Sequence, residues 1–171
     1  MAQQNTALVL IGLQELRRDK KSDYRLRGMD WLVDRASYLI QYAREMWYKI
    51  IFIRHIEKEW PFADKNPLSQ IIADLYPQPE DIIIKKSKTS CFYKTNLEEE
   101  LKWIKNIAVA WIPTNYCVRM FVEEAYDREF TIALIEDICQ SDNEKLQDFT
   151  LYDLDETRRD LSIVRLEQFL E

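Results

Sequence analysis

Apolar and polar positions along the chain switch repeatedly between two periods. Thr6 to Ile11 is short and almost wholly apolar, the pattern of a strand buried on both faces. Lys49 to Arg54, Asp81 to Lys85, Ile107 to Trp111 and Phe130 to Ile135 repeat the theme. Between them lie helical patterns. Trp31 to Trp47 places Trp31, Leu32, Ala36, Leu39, Ile40 and Ala43 on one side of a helix. Pro67 to Tyr76 predicts a short helix with proline at its start, leading into a Tyr76-Pro77-Gln78-Pro79 loop. Thr95-Asn96-Leu97-Glu98 has the form of a capping box and opens a helix to about Ile104. Further helices are expected from about Tyr116 to Tyr126 and within Asp142 to Arg159. Leu161 to Val164 makes the strand count five or six, and Leu166 to Leu170 is a final helical turn. This alternation predicts one three-layer α/β/α domain over residues 1–171, a five- to six-stranded parallel sheet with helices on both faces. Such sheets bind ligands at the carboxyl ends of their strands, where the strand order changes direction. Gly12, the Lys85-Lys86 pair and the loop before Cys117 are therefore expected to converge, on strands one, three and four lying side by side.

Composition narrows the function. The 171 residues are 47% apolar, enough for one full core. No apolar run approaches membrane-spanning length, so no membrane association is expected. The stretch from Met1 to Thr6 lacks the basic-then-apolar layout of a signal peptide. A net charge of −6 with scattered basic residues argues against nucleic acid as a partner. Cys91, Cys117 and Cys139 are odd in number and lack metal-type spacing, which suits a reducing compartment, so a cytoplasmic location is expected. His55 is the single histidine and cannot build a histidine-rich metal site. Gly12 and Gly28, the only glycines, cannot supply a phosphate-cradling loop. Neither a cofactor nor a metal is expected.

Candidate chemistry gathers in Trp111-Ile112-Pro113-Thr114-Asn115-Tyr116-Cys117-Val118, where a strand stops and an amphipathic segment starts. A cysteine in the first turn of a helix feels the partial positive charge of the helix end, which favours the thiolate. Taken alone, Cys117 also reads as a small buried core residue, as most free cysteines are. Lys86 alone reads as a solvated lysine, Thr114 as part of a capped loop and Pro113 as a turn proline. His55, ending strand two, reads as a surface or satisfied histidine, and Glu57, Glu59 and Asp64 as a solvated acidic loop.

In order and spacing, these stretches resemble the isochorismatase-like cysteine hydrolases, a family that includes nicotinamidases, N-carbamoyl amidases and isochorismatases. Thr114-Asn115-Tyr116-Cys117-Val118 matches the family's T-N-x-C-V signature. Lys86-Ser87-Lys88-Thr89-Ser90-Cys91-Phe92, followed by Thr95 and Leu97, matches its K-x-x-x-S-x-F motif. Pro79-Glu80-Asp81-Ile82-Ile83-Ile84 and Ile135-Glu136-Asp137-Ile138-Cys139 resemble its third-strand lead-in and fifth-strand end, so the likeness covers roughly the whole chain. The resemblance implies a Rossmann-like topology and a catalytic pair, with Cys117 attacking a carbonyl carbon to form a thioester and Lys86 favouring the thiolate. It further implies a small-molecule pocket beside Cys117, with Gln14, His55, Trp111, Thr114 and Tyr116 around it. A homo-oligomer or a protein partner is also implied, since members are commonly dimers or tetramers. Nicotinamidases hold a metal with an aspartate and two histidines, and one histidine in the chain excludes that form of site.

Three positions depart from the pattern. Gly12 stands where the family's first-strand aspartate accepts the thiol's proton, and Glu15 and Asp19 lie downstream of the strand tip. Position 113 follows a cis peptide bond in the family, and its N–H is half of the oxyanion hole, the other half being the N–H of the cysteine. Proline makes a cis Ile112–Pro113 bond inexpensive but has no N–H. Trp111 replaces a glycine and is expected to crowd the site. The expected reading is a degenerate member acting as a binding or assembly subunit. The alternative is an active cysteine hydrolase of a small amide or related carbonyl compound. Vinyl-ether cleavage of the isochorismatase kind rests on the missing aspartate and is the poorest fit.

Overall fold

Six short strands form one parallel sheet, and burial on both faces is why the central ones read as continuous apolar runs rather than alternating. A computed structural model describes residues 5–171. Residues 1–4, most of the polar segment without a signal-peptide layout, lie outside the described residues. The strands are β1 (Thr6–Ile11), β2 (Lys49–His55), β3 (Ile82–Lys86), β4 (Asn106–Trp111), β5 (Thr131–Ile135) and β6 (Leu161–Val164), in the order β3-β2-β1-β4-β5-β6. Ala7 to Ile11 in the centre are wholly inaccessible, whereas edge strand β3 alternates an exposed Ile83 with a buried Ile84.

The register lines up the future site. Ile84, Ile53, Ile11 and Trp111 form one row across four strands, and Gly12, His55, Lys86 and Ile112 come just beyond it. The strand order reverses between β1 and β4, which makes that end the switch point. The expectation that strands one, three and four are adjacent is corrected here. Both edges of β1 are taken, by β2 and β4, so β3 pairs outside β2.

The longest helix, α1 (Met29–Glu45), buries Met29, Leu32, Val33, Ala36, Leu39, Ile40 and Ala43. That spacing of three and four makes one apolar stripe. Trp31 was expected in the stripe but is 55% exposed; it sits one residue off Leu32, and the Arg35 guanidinium lies 4.9 Å from its ring. The helix expected over Pro67 to Tyr76 is instead two 3-10 turns, Pro67–Ser69 and Ala73–Leu75. The stretch between them is held extended because Ile71 bridges to Gln14. The capping-box helix is short, α2 (Leu97–Glu100), and Thr95 Oγ1 accepts from the Leu97 N–H at 3.3 Å. A turn from Ile104 N–H to the Leu101 carbonyl then redirects the chain into β4. After β4 comes a π-helical turn, Thr114–Val118, and then α3 (Arg119–Tyr126), so the helix expected from Tyr116 begins in a wider turn. The chain continues through α4 (Glu144–Thr157) and ends in α5 (Leu166–Leu170). α1 packs against α5, while α3 and α4 both pack against the π-turn. Among the described residues no helix is long and apolar enough to cross a membrane.

Candidate functional site

Each strand tip at the switch point delivers one candidate residue. Gly12 follows β1 with a left-handed φ of +79°. Its N–H donates to the Ile53 carbonyl at 2.8 Å, and its carbonyl accepts from the Gln14 N–H at 2.9 Å. A Cβ added at Gly12 would overlap the carbonyl oxygen of Ile112. This glycine is therefore required by the turn, and the backbone has closed over the place where a side chain would go.

Gln14 is buried, and its amide is fully used in holding the site together. Nε2 donates to the carbonyls of His55 (2.9 Å) and Ser69 (2.7 Å), and Oε1 accepts from the His55 N–H at 2.9 Å. It ties the β2 tip to the loop before Ile71, which makes it a strut of the pocket wall rather than a free ligand contact.

Lys86 ends β3 and is 2% exposed, so it is not the solvated lysine its sequence position alone allows. Its ammonium donates to the carbonyls of Lys88 (2.7 Å) and Thr89 (3.2 Å) and to Cys117 Sγ at 3.0 Å. Three partners match the three N–H groups of an ammonium. The long side chain thus joins the tip of β3 to the turn after β4, although β2 and β1 lie between those two strands. Cys117 sits in the π-turn, half-buried, with its sulfur packed against the core.

The Ile112–Pro113 bond is cis, and Pro113 brings no N–H to the site. Trp111 and Thr114 depart from expectation. Neither lines the Cys117 cavity. Trp111 is wholly buried in the core, with its backbone N–H 3.4 Å from Cys139 Sγ and its indole Nε1 without a hydrogen-bond partner among the described residues. It holds a φ of +127°, a region that costs a side-chain-bearing residue about 1–3 kcal/mol. Its bulk therefore fills the core rather than the pocket. Thr114 is buried with its N–H on the Gln140 carbonyl at 3.1 Å. Tyr116 is 58% exposed on the rim.

His55 lines the cavity edge-on to Phe62, with ring centroids 5.0 Å apart. Its Nε2 lies 2.9 Å from Glu57 Oε1, which assigns the ring proton to Nε2 and leaves Nδ1, buried and unpartnered, as the acceptor. Burial holds its pKa below the usual value, against the pull of Glu57. The acidic loop is more than solvated surface: Asp64 pairs with both Arg54 and Lys85.

The cavity that these residues enclose measures about 210 Å³. Its walls include Arg17 and Phe62, which the sequence did not single out. Arg17 ends a 3-10 turn, Glu15–Arg17, three residues after Gln14, and a cation where the chain folds back over a strand tip is the signal that was there to read. Among the described residues no aspartate or glutamate lines the cavity, and the hydrogen-bond partner of Cys117 Sγ is Lys86. Glu15 instead accepts from the Ala73 N–H, and Asp19 from that of Lys21. No group of three or more His, Cys, Asp or Glu side chains among the described residues is placed to hold a metal. With His55 Nε2 turned to Glu57, the donors present do not fit one. A larger, open groove of about 510 Å³ between α1 and α5 carries none of these residues.

Comparison with known proteins gives a consistent picture. The isochorismatase domain model matches residues 6–160. The uncharacterized isochorismatase family protein YrdC of Bacillus subtilis is 28% identical over 155 residues, covering 88% of this chain and 82% of that protein. The ureidoacrylate amidohydrolase RutB of Agrobacterium fabrum is 35% identical over 69 residues, which span 39% of this chain and 30% of the amidohydrolase. A cysteine hydrolase from Pseudomonas syringae superposes with a TM-score of 0.89 at 19% identity, over 97% of this chain and 91% of its own. The pyrazinamidase of Pyrococcus horikoshii, solved in complex with zinc, gives 0.82 at 20% identity, over 94% and 99%. At these identities the structural likeness speaks to the fold.

Proposed function

The chain belongs to the isochorismatase family, and we propose that it is a member that has lost ordinary hydrolysis and serves as a binding or assembly subunit, with its ligand in the Cys117 cavity. The observation that carries this reading is the cavity wall. It retains Lys86 against Cys117, but among the described residues it offers no carboxylate to take the thiol's proton. General-base catalysis contributes about 10²–10⁴-fold, and one oxyanion donor, of the kind Pro113 lacks, about 3 kcal/mol. Losing both removes roughly 10⁴-fold or more.

Exposed Trp31 and Tyr38 on α1 support a role in self-association or partner binding, and the three free cysteines suit a cytoplasmic setting. The alternative, an active cysteine hydrolase of a small amide, is favoured by one feature, the 3.0 Å contact between Lys86 Nζ and Cys117 Sγ. Ammonia release from nicotinamide and a panel of N-carbamoyl amino acids separates the two. The proposed function predicts identical background rates for the wild type and Cys117→Ala. Turnover that Cys117→Ala abolishes would favour the alternative.

A further inference from the structure

Among the described residues, one half-buried cation of the cavity has neither an ion pair nor a full set of hydrogen-bond partners. Among the described residues, six other arginines are not fully exposed: Arg18, Arg35, Arg44, Arg54, Arg119 and Arg158. Each makes an ion pair with a carboxylate. Arg17 is the exception. Arg17 lines the Cys117 cavity, its one hydrogen bond is a long 3.4 Å contact from Nη1 to the Tyr24 carbonyl, and its Cζ lies 5.9 Å from the centre of the Tyr24 ring. Asp142 acts on it through space, beyond ion-pair distance, and burial holds its pKa below the usual value. A guanidinium has five donors in a rigid fork, and leaving them unmatched in a half-buried site costs free energy. Natural proteins tolerate that cost where a ligand completes the pair.

We propose that Arg17 is the anchor for a small monocarboxylate, whose apolar body rests against Phe62 and Pro113 beside Cys117. The proposal deepens the reading of this cavity as a binding pocket and rests on it. The charge count favours one negative charge. Lys86 has all three N–H groups engaged, and Lys88 is exposed, so among the described residues Arg17 is the cation with donors to offer inside. The geometry favours a planar group, because a guanidinium fork matches two carboxylate oxygens in parallel. A phosphate dianion calls for a cluster of backbone N–H groups as well, and the chain has no glycine-rich loop to provide them. The volume, about 210 Å³, equals roughly seven water molecules at ~30 Å³ each, enough for a body of benzoate size.

The test uses the purified full chain and Cys117 as the reporter. Iodoacetamide alkylation of Cys117 is followed by intact mass at constant pH and ionic strength, with benzoate, benzamide or inorganic phosphate added, and each variant is read as its own rate ratio with and without the additive. Benzoate is expected to reach half-maximal protection of Cys117 at a concentration roughly tenfold or more below that of benzamide or phosphate, the scale of a charge-assisted hydrogen bond, and the probes are compared at one subsaturating concentration. Arg17→Gln is expected to abolish the difference between benzoate and benzamide, and Arg17→Lys to retain part of it. Equal protection by benzoate and benzamide overturns the anchor role of Arg17 while leaving a neutral-ligand pocket standing. Benzoate protection that survives Arg17→Gln does the same. Stronger protection by phosphate overturns the carboxylate assignment, and no protection by any probe overturns the proposal outright. Should Arg17→Gln fail to fold, the wild-type comparison of the charged and neutral probes still decides. Amide turnover would count against the proposed loss of hydrolysis without touching Arg17.

Discussion

The carbonyl oxygen of Ile112 lies in the space that a side chain on Gly12 would need. The departure at position 12 is therefore more than a missing carboxylate. The carbonyl that follows β4 occupies the position a side chain after β1 would take, and the φ of +79° suits glycine. A carboxylate returned there does not simply point at Cys117, as the family pattern alone suggests.

Gly12→Ala is expected to destabilise the fold by about 2–4 kcal/mol, combining the left-handed penalty with overpacking against backbone. Gly12→Asp should do the same without gaining amide turnover. Urea denaturation measures both. A Gly12→Ala variant within about 0.5 kcal/mol of the wild type would show that the two strand tips separate easily.

Lys86 Nζ donates to Cys117 Sγ at 3.0 Å. Replacing the ammonium with an isosteric apolar chain, Lys86→Met, should slow iodoacetamide alkylation of Cys117 at neutral pH by roughly tenfold or more, the scale of one hydrogen bond to a charged group. An unchanged rate would mean that the 3.0 Å contact leaves the thiol's reactivity alone.

The other two cysteines should behave oppositely. Burial pushes the Cys139 thiol up to about 12 and Cys91 higher still, so both stay protonated and shielded in the fold. Mass spectrometry should find alkylation at Cys117 alone in native protein and at all three sites in urea. A thiol whose folded pKa is raised stabilises fully below its unfolded pKa of about 8.5 and loses that contribution as pH rises above it. Each buried thiol therefore steepens the fall in stability by about 1.4 kcal/mol per pH unit between roughly 9 and 12. Cys139→Ala should fall less steeply than the wild type over pH 9–10, and parallel curves would contradict the burial of that thiol.

Most of the fold was legible because a strand buried on both faces leaves an unbroken apolar run, as Ala7 to Ile11 does. The approach of Lys86 to Cys117 was legible from motif order together with the rule that ligands sit at the carboxyl ends of strands at the switch point. What escaped the sequence depends on neighbours brought in by the fold. Ile71 is drawn into a bridge with Gln14, which splits the Pro67–Tyr76 helix into two turns. The side chain of Trp111 packs into the core, where no local pattern could place it. Arg17 escaped because its distinguishing property is the lack of an ion pair among the described residues, and a missing partner is visible only once every side chain has a position.

Whether Cys117 can be acylated is tested most directly by intact-mass analysis with protein in excess over nicotinamide or N-carbamoylglycine, quenched in acid from milliseconds to minutes. With no carboxylate among the described residues at the cavity to accept the thiol's proton and no N–H at Pro113, the predicted result is the unmodified mass at every time. A transient acyl adduct on Cys117 that decays as product forms, and that Cys117→Ala abolishes, would contradict it.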